Sequence, residues 1–471
     1  MLSVPGRARK VCDGSTRRDM LRVGALSLFG GLSLPRLLAA VEQQPRRPVP
    51  RAQSVVLFNL FGGPSHLDMF DLKPSAPEEV RGEFQPIGTS LPGVQICEHL
   101  PKLARWMNRA TLIRTVSHGY NSHNPYALMT GFTMGNDREN YFSKPTDHPS
   151  MGSVCQYMGL GRDDVPPYVC MPAHPGYSQA LRRAGPYGGY LGERYDPLIT
   201  RAEPKLERDP ANFYDPVPPM GEPTMPILEP QPELTVDRMA LRRNLLAEVG
   251  SQFARAQQSP AVGVMNEYQR RAFTLLTSDR ARAAFDLASE PAAVRDRYGR
   301  TLYGSCALLA RRLVEAGATF ITLTTESKGG GHWDTHQNNF GVLRDFNLPN
   351  LDQMMTALLD DLEARGLLDT TLVVAMGDMG RAPKVNRYAG RDHWPQCGFC
   401  FMAGGGVKSG FVLGATDRTA SYPTSDLVTP GDIVATIYQL LGVDPELVVH
   451  DLTNRPIHVA HGGHTIRDVL A

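Results

Sequence analysis

Histidine and aspartate side chains alternate in the glycine-rich segment that begins at Gly329. His332, Asp334 and His336 follow three consecutive glycines, and alternate residues of an extended backbone lie on one face. Imidazole and carboxylate groups together suit zinc, manganese or iron. The segment follows an apolar run, residues 319–325, which predicts a buried strand. We therefore expect a metal site at the end of that strand; the alternative is a hydrogen-bonded His/Asp network without metal.

A second apolar run, residues 371–376, also ends directly before charged side chains. Asp378 comes first, Arg381 and Lys384 follow, and an Asp-His pair ends in His393. These groups fit a metal-assisted site for an anionic substrate, whereas the alternative is a glycine-rich surface loop with solvated charges. Because the carboxyl ends of parallel strands lie at the same edge of a sheet, the two clusters are expected to converge.

Two more predicted strands lead into polar loops. Residues 110–116 precede Ser122 and His123, which fall near the start of a predicted short helix, where free backbone N–H groups favour anions. The alternative for His123 is a histidine that caps or packs against the loop. The first strand, residues 54–60, enters a glycine turn that reaches Ser65, either a ligand-binding turn or a tight turn without a ligand.

The order of these patterns predicts an α/β fold. Apolar runs alternate with helical segments, which indicates a mostly parallel central sheet with helices on both faces. The clearest helix covers residues 430–441, with Thr429 as its N-cap and Gly442 at its end. Residues 136–232 are irregular, with one candidate strand at residues 168–171, and they are proline-rich towards their end. We expect an insertion or lid there. We treat residues 52–471 as a single domain.

Charge and cysteine content exclude several classes of protein. The formal net charge is +1, and no basic stripe alternates with aromatic residues, so nucleic acid is not an expected partner. One of the seven cysteines, Cys12, lies in the N-terminal segment, and the other six are scattered, unlike those of a disulfide scaffold. Cys397 and Cys400 are interpreted as packing residues, and a disulfide elsewhere is left open.

Residues 1–40 resemble a twin-arginine signal peptide. Arg17 and Arg18 precede an apolar run, residues 23–34, and small residues at the end of the segment offer a cleavage site. Such a leader engages the twin-arginine export machinery and directs the protein to the periplasm or cell envelope; an N-terminal membrane anchor is the alternative. Residues 41–51 read as a linker, and no segment of the mature chain reads as a membrane span.

Several motifs together resemble the domain of unknown function 1501 family. They are the runs LFGGPSHLDMFDLKP, RGEFQPI, HWDTH, GDMGRAPKVN, GRDHWP and AGGGVKSGFVLGATD, which extend over nearly the whole mature chain. That family is similar to the alkaline phosphatase and sulfatase superfamily. The resemblance implies an alkaline phosphatase/sulfatase-like fold with a metal-centred site at the carboxyl edge of the sheet. It also implies a hydrolase of phosphate or sulfate esters.

The resemblance implies a set of metal ligands as well. Asp334 and His336 match the Asp and His of one metal-binding loop, and Asp378 begins a match to an Asp-His-Gly motif. Met379 replaces the histidine of that motif and is a poor ligand for a hard metal. We expect a divalent metal, namely zinc, manganese, calcium or iron. The candidate ligands are Asp334, His336, Asp378, His393, Asp68 and His332.

The segment expected to carry the nucleophile differs from the sulfatase motif. The position of the sulfatase cysteine falls on Asn121, and that of the motif's arginine falls on Pro125. Ser122 and Ser65 are alternative nucleophiles, and a hydroxide supplied by the metal is another.

Two functions therefore stay open. The first is an exported metal-dependent hydrolase of sulfate or phosphate esters, on small molecules or carbohydrates. Its catalytic candidates are Ser122, His123 and Arg381, and its substrate-binding candidates are Arg381, Lys384 and Ser65. Arginine suits forked contacts to a tetrahedral oxyanion. The second is a non-catalytic exported protein, for binding or envelope assembly, that retains the fold.

Overall fold

An eight-stranded sheet lies at the centre of the protein. The computed structural model describes residues 48–225, 278–327 and 333–471, together with residues 238, 241 and 276. The signal-peptide prediction for residues 1–40, most of the linker, and His332 lie outside the described residues. The strands are β1 (Ser54–Leu60), β2 (Ala110–Val116), β3 (Tyr168–Met171), β4 (Leu198–Ile199), β5 (Phe320–Thr324), β6 (Thr371–Gly377), β7 (Gly398–Ala403) and β8 (Phe411–Leu413).

The sheet is mostly parallel. Its spatial order is β8-β2-β7-β6-β1-β5-β3-β4. Strand β7 pairs antiparallel with both β6 and β2, and every other pairing in the sheet is parallel. The amino end of β7 therefore lies at the same edge as the carboxyl ends of the other strands.

Ten described α-helices accompany the sheet. They are α1 (Glu78–Arg81), α2 (Pro101–Trp106), α3 (Tyr126–Thr130), α4 (Met151–Tyr157), α5 (Asp279–Phe285), α6 (Ala292–Tyr298), α7 (Leu302–Ala316), α8 (Asn339–Val342), α9 (Leu348–Ala364) and α10 (Pro430–Leu441). Helix α10 begins with a capping box between Thr429 and Asp432 and ends at Gly442, whose φ is 75°. These boundaries agree with the sequence prediction, because capping residues satisfy the free backbone groups at helix ends.

Helices cover both faces of the sheet. In β1, Val56 and Phe58 belong to the apolar cluster that includes α2, α7 and α9. Val55 and Leu57 belong to a second cluster, with α4 and α10. Successive strand residues point to opposite faces, so a strand buried on both faces reads as a continuous apolar run. The predicted α/β fold with a mostly parallel central sheet is confirmed.

The irregular segment supplies part of the sheet. The described residues of 136–232 include α4 and the strands β3 and β4, which form one edge of the sheet. A short ribbon follows, in which Lys205–Leu206 pairs with Pro219–Met220. The segment is thus more than a cover over the sheet edge, because β3 is paired directly with β5.

Further ribbons extend from the loops. Pro86–Gly88 pairs with Gln95–Cys97, Gly380–Arg381 with His393–Trp394, Ala415–Thr416 with Pro423–Ser425, and Val448–His450 with Pro456–His458. The ribbon between β6 and β7 matters for the site, because it brings Arg381 and His393 opposite each other.

The structure also describes the cysteines and the lengths of the helices. The six described cysteines are buried and unpaired, Cys397 and Cys400 among them. Among the described residues, no helix combines the length and apolar content needed to cross a membrane.

Candidate metal centre

Four side chains converge at the carboxyl edge of the sheet. They are His123, Asp334, His336 and His393, whose ligand atoms all lie within 4.8 Å of one another. Three different strands bring these four residues to the edge. His123 follows β2, Asp334 and His336 follow β5, and His393 precedes the antiparallel strand β7. The expected convergence of strand ends is therefore present in the structure.

Three imidazole rings share one carboxylate. His123 Nε2 lies 3.0 Å from Asp334 Oδ2, and His336 Nε2 lies 3.1 Å from Asp334 Oδ1. His393 Nε2 lies 3.5 Å from Asp334 Oδ1 and 2.9 Å from His123 Nε2. Three Nε2 atoms and a carboxylate thus face a common point. This donor set is one that zinc, manganese or iron accepts.

The second nitrogen of each ring has its own acceptor. His123 Nδ1 lies 3.2 Å from Asp378 Oδ2, and His336 Nδ1 lies 2.8 Å from Asp392 Oδ1. His393 Nδ1 lies 3.1 Å from the carbonyl oxygen of Asn121. An acceptor at Nδ1 holds the proton there and leaves the Nε2 lone pair for a metal, as is usual for metal-binding histidines.

The cluster is strongly coupled electrostatically. Burial opposes ionisation of Asp334, but hydrogen bonds with the three histidines outweigh it and hold the pKa of Asp334 well below its usual range. Burial likewise disfavours a charged His123, yet hydrogen bonds to Asp334 and Asp378 raise its pKa to about 9. The hydrogen bond to Asp334 also raises the pKa of His336. The surroundings therefore favour the protonated forms of His123 and His336, and a cation would have to displace those protons.

Asp378 lies behind the cluster instead of within it. Its fully buried carboxylate accepts from the backbone N–H of Gly62 at 2.8 Å and faces His123 Nδ1. The sequence predicted a metal ligand at this position. In the structure both carboxylate oxygens are engaged, and Asp378 orients His123 instead.

The guanidinium group of Arg381 is surrounded by acceptors of the protein itself. Its side chain is completely buried, with Nε donating to the carbonyl of Gly63 at 2.8 Å and Nη1 to that of Arg391 at 3.1 Å. Nη2 donates to Asp334 Oδ1 at 2.7 Å and to the carbonyl of Gly62. The expected role in substrate binding does not match this arrangement, because the guanidinium is engaged by the protein itself. Arg381 fixes Asp334 against the glycine turn after β1.

Asp68 and Ser65 belong to a separate buried network. Arg391 donates to Asp68 from Nε at 2.7 Å and from Nη2 at 2.9 Å, and Ser65 Oγ donates to Asp68 at 2.6 Å. Asn339 donates to the same carboxylate at 2.9 Å. The structure thus places Asp68, a predicted ligand, in an ion pair, and its oxygens are saturated with donors. Ser65 is likewise engaged away from the four-residue cluster.

Ser122, Lys384 and Met379 were also singled out in the sequence, and they differ in burial and in contacts. Ser122 directly precedes His123, and its Oγ is buried without a partner in the described part of the chain. Lys384 is exposed. Met379 is buried beside the glycine turn, where a Cβ added to Gly63 would meet its Cγ at 2.9 Å. Met379 therefore packs against the turn, at the position where the superfamily motif has a histidine.

Sequence reasoning did not include His123 among the candidate ligands and missed two groups behind the cluster. His123 was predicted as a catalytic residue, and the structure places it in the four-residue cluster that could hold a metal. The signal was available, since His123 follows a third parallel strand, β2. Asp392 and the Asn121 carbonyl were not predicted to support His336 and His393, because contacts across 56 and 272 residues leave no local pattern.

The chain belongs to the family described as protein of unknown function (DUF1501), whose model matches residues 52–470. The family resemblance seen in the sequence motifs is thereby confirmed. Among curated protein sequences, none matches this chain.

Several solved structures are similar to the chain. The crystal structure of Ps i-CgsB is 11% identical, with 89% of this chain and 75% of that one covered and a TM-score of 0.41. The lipoteichoic acid synthase LtaP from Listeria monocytogenes is 9% identical, with 89% and 78% covered and a TM-score of 0.35. The phosphonate monoester hydrolase SpPMH from Silicibacter pomeroyi is 12% identical, with 89% and 76% covered and a TM-score of 0.35. All three TM-scores lie below 0.5, so these structures do not define the activity of this chain.

Proposed function

We propose that this DUF1501 protein is a metal-dependent hydrolase of sulfate or phosphate esters. The metal would be held by His123, Asp334, His336 and His393. One observation supports the proposal above the others: three Nε2 atoms converge on the Asp334 carboxylate while each Nδ1 is held by an acceptor. The donor set favours zinc, manganese or iron over calcium, which prefers oxygen ligands.

The short distance between two imidazole nitrogens also favours a bound cation. His123 Nε2 and His393 Nε2 lie 2.9 Å apart, and each ring has an acceptor at its Nδ1. With a proton on both Nδ1 atoms, the two Nε2 lone pairs face each other unless one of them also carries a proton. A metal held by both histidines would use both Nε2 lone pairs and would leave the Nδ1 hydrogen bonds intact.

The protein groups around the cluster have distinct tasks. Arg381 holds Asp334, and Asp378 holds His123, so both act through a ligand. A bound divalent metal supplies charge that polarises an ester oxygen and lowers the pKa of water. Ser122 is the candidate protein nucleophile, because its buried and unpartnered Oγ lies next to His123 in the chain. His123 is then a ligand, not a general base.

Turnover of generic aryl esters tests the activity. Metal-loaded protein should hydrolyse an aryl sulfate or an aryl phosphate, and His336→Gln should lose at least about tenfold in kcat/KM, a loss of roughly 1.4 kcal/mol in transition-state stabilisation. His458→Gln is the matched control, because His458 is an exposed histidine on a surface ribbon. Turnover that is equal in wild type and His336→Gln would exclude this site as its source.

A non-catalytic binding protein is the second candidate. It is favoured by Asn121, which stands where the sulfatase pattern has its nucleophile and contributes its backbone carbonyl to His393. Met379, buried in place of a histidine, favours it too. Stoichiometric metal without turnover of any ester would support this function over hydrolysis.

We extend the proposal to the location and substrate class. Export by the twin-arginine machinery to the periplasm or envelope is proposed from Arg17 and Arg18. Replacing both arginines by lysine should retain the protein in the cytoplasm on cell fractionation, and unchanged export would contradict this route. Esters of carbohydrates belong to the proposed substrates, and a panel of sulfated and phosphorylated sugars tests them.

A further inference from the structure

Arg183 is a buried arginine that has no ion pair among the residues that the structure describes. Four arginines of the described chain are almost completely buried: Arg183, Arg311, Arg381 and Arg391. The last three contact the carboxylates of Glu290, Asp334 and Asp68, respectively. Arg183 is 1% exposed, and among the described residues its Nε and Nη1 have no hydrogen-bond partner. Burying a cation without a counter-charge is costly, so this exception calls for an anionic partner.

The side chain of Arg183 is held firmly despite its free donors. Its guanidinium carbon lies 3.7 Å from the centroid of the Tyr141 ring, and Nη2 donates to Gln179 Oε1 at 2.5 Å. The backbone N–H of Arg183 donates to the carbonyl of Pro175 at 3.1 Å. Gly176 lies against the aliphatic part, where an added Cβ would meet Arg183 Cγ at 2.7 Å. The cation is therefore preorganised by stacking and packing.

The segment that carries Arg183 packs against the loop that carries His123. Ala184, the next residue, lies in one apolar cluster with Tyr120 and Tyr126, which flank His123 in sequence. Gly185 is equally close, since an added Cβ would meet Pro125 Cγ and Met129 Sδ at 3.2 Å each. The backbone that directly follows Arg183 therefore packs against residues on both sides of His123 in the chain.

The nearby carboxylates do not neutralise Arg183 by contact. Burial lowers the pKa of Arg183, and Glu326 and Asp378 oppose this because both are close enough to favour its charge. The Glu326 carboxylate is already engaged by the N–H groups of Gly176 at 2.7 Å and Ser178 at 3.1 Å. Asp378 is engaged by Gly62 and His123. Both acids therefore keep their own donors.

We propose that Arg183 binds the tetrahedral anionic group of the ligand at the metal centre, the role that the sequence assigned to Arg381. The inference rests on the proposed function. A sulfate or phosphate group offers several acceptor oxygens, and arginine offers several N–H donors that stay charged at any physiological pH. The unused donors on Nε and Nη1 would then find acceptors when the ligand is bound.

Inorganic sulfate and inorganic phosphate serve as probes. Titration of each into metal-loaded protein by calorimetry should show binding by wild type, and Arg183→Gln should weaken it at least tenfold. Arg182→Gln is the matched control, because this neighbouring arginine is exposed and pairs with Asp196. Arg183→Lys, which keeps the charge but loses donors, should fall between wild type and Arg183→Gln.

A structural role predicts different results. If Arg183 is an anion-binding group, Arg183→Gln keeps its metal, and its Tm without anion is not lowered, because an unpaired buried charge has been removed. If Arg183 is structural, Arg183→Gln loses metal or unfolds readily, as expected for Arg391→Gln, and the inference is overturned. Equal anion affinity in wild type and Arg183→Gln, or no anion binding by wild type, also overturns it.

Ester turnover separates this inference from the proposed function. Anion binding that depends on Arg183, in a protein that hydrolyses no ester, would keep the inference and reject the hydrolase. Turnover that depends on His336 but is indifferent to Arg183→Gln in kcat and KM would keep the hydrolase and reject the inference.

Discussion

At the scale of single residues, each histidine of the centre uses both of its ring nitrogens. Nε2 faces the shared Asp334 carboxylate, and Nδ1 faces an acceptor that fixes the ring. Residue type and spacing suggested Asp334 and His336, because aspartate and histidine alternate after β5, whereas His123 was predicted as a catalytic residue. The residues behind them were harder to predict, since Asp378 reads equally well as a ligand or as a support for His123.

Removal of the support behind His336 should weaken metal binding. In Asp392→Ala the Nδ1 atom loses the acceptor at 2.8 Å, so the ring loses its fixed orientation. We expect metal affinity to fall by about 10- to 100-fold, the range typical for such outer groups. Competition with a chromogenic chelator measures it, with Asp345→Ala as a control, because Asp345 pairs with Arg344 on the surface. Unchanged affinity in Asp392→Ala would reject His336 as a ligand.

Protons and metal should compete at His123. Hydrogen bonds to Asp334 and Asp378 prevail over burial and raise the pKa of metal-free His123 to about 9, and a ligand imidazole must be neutral at Nε2. Metal affinity should therefore rise about tenfold per pH unit between roughly pH 6.5 and 8.5, with release of about one proton per metal. Calorimetry in buffers of different ionisation enthalpy measures the proton count, and zero release would contradict the assignment.

The metal-free protein should show the opposite trend in stability. The folded-state pKa of His123, about 9, lies above the ordinary value of 6.5. The stabilisation from its charged form is then fully present below about pH 6.5 and is lost as the pH rises towards 9. Urea unfolding of chelator-treated protein at several pH values follows this loss, and metal-loaded protein should not share it.

At the scale of elements, strand ends bring the four cluster residues and Asp378 together. Strands β2, β5 and β6 deliver His123, Asp334 and Asp378 to one edge, and the antiparallel direction of β7 adds His393. The sequence predicted the strands and their shared edge, because buried parallel strands read as apolar runs. It did not predict that β7 is antiparallel, since strand direction leaves no mark in such a run.

The glycine turn after β1 should be indispensable for the centre. Gly62 has φ +111°, and an added Cβ would lie 2.6 Å from the backbone nitrogen of Asp334. Gly62→Ala should displace Asp334 and lower metal affinity at least tenfold. Gly192→Ala is the matched control, because Gly192 has φ +99° but no neighbour within 4 Å of an added Cβ. Equal metal binding by the two variants would contradict this role of Gly62.

The ion pair between Asp68 and Arg391 should stabilise the folded protein. Asp68→Ala leaves the completely buried Arg391 guanidinium without its carboxylate, which should cost about 3–5 kcal/mol of unfolding free energy. Urea denaturation of the metal-free protein measures this loss. If Asp68→Ala instead retains its stability and loses metal, Asp68 is a ligand after all, as the family resemblance implied.

At the scale of the whole molecule, the sequence predicted the architecture better than the site. The α/β layers, the boundaries of α10 and the family followed from periodicity, capping residues and motifs. The difference between Arg381 and Arg183 did not, because both are arginines and only the folded chain shows which one is already paired. The candidate strand at residues 168–171 is β3 in the structure, whereas β4 was missed because it has only two residues in an irregular segment.

The metal content of the purified protein tests the central claim most directly. Protein prepared without chelator should contain near-stoichiometric zinc, manganese or iron by elemental mass spectrometry. Asp334→Ala and His393→Ala should lose the metal, whereas His458→Gln should keep it, because only the first two residues belong to the cluster. Folded wild-type protein that contains no metal and accepts none on titration would contradict the account, and the four side chains would then form a hydrogen-bonded network.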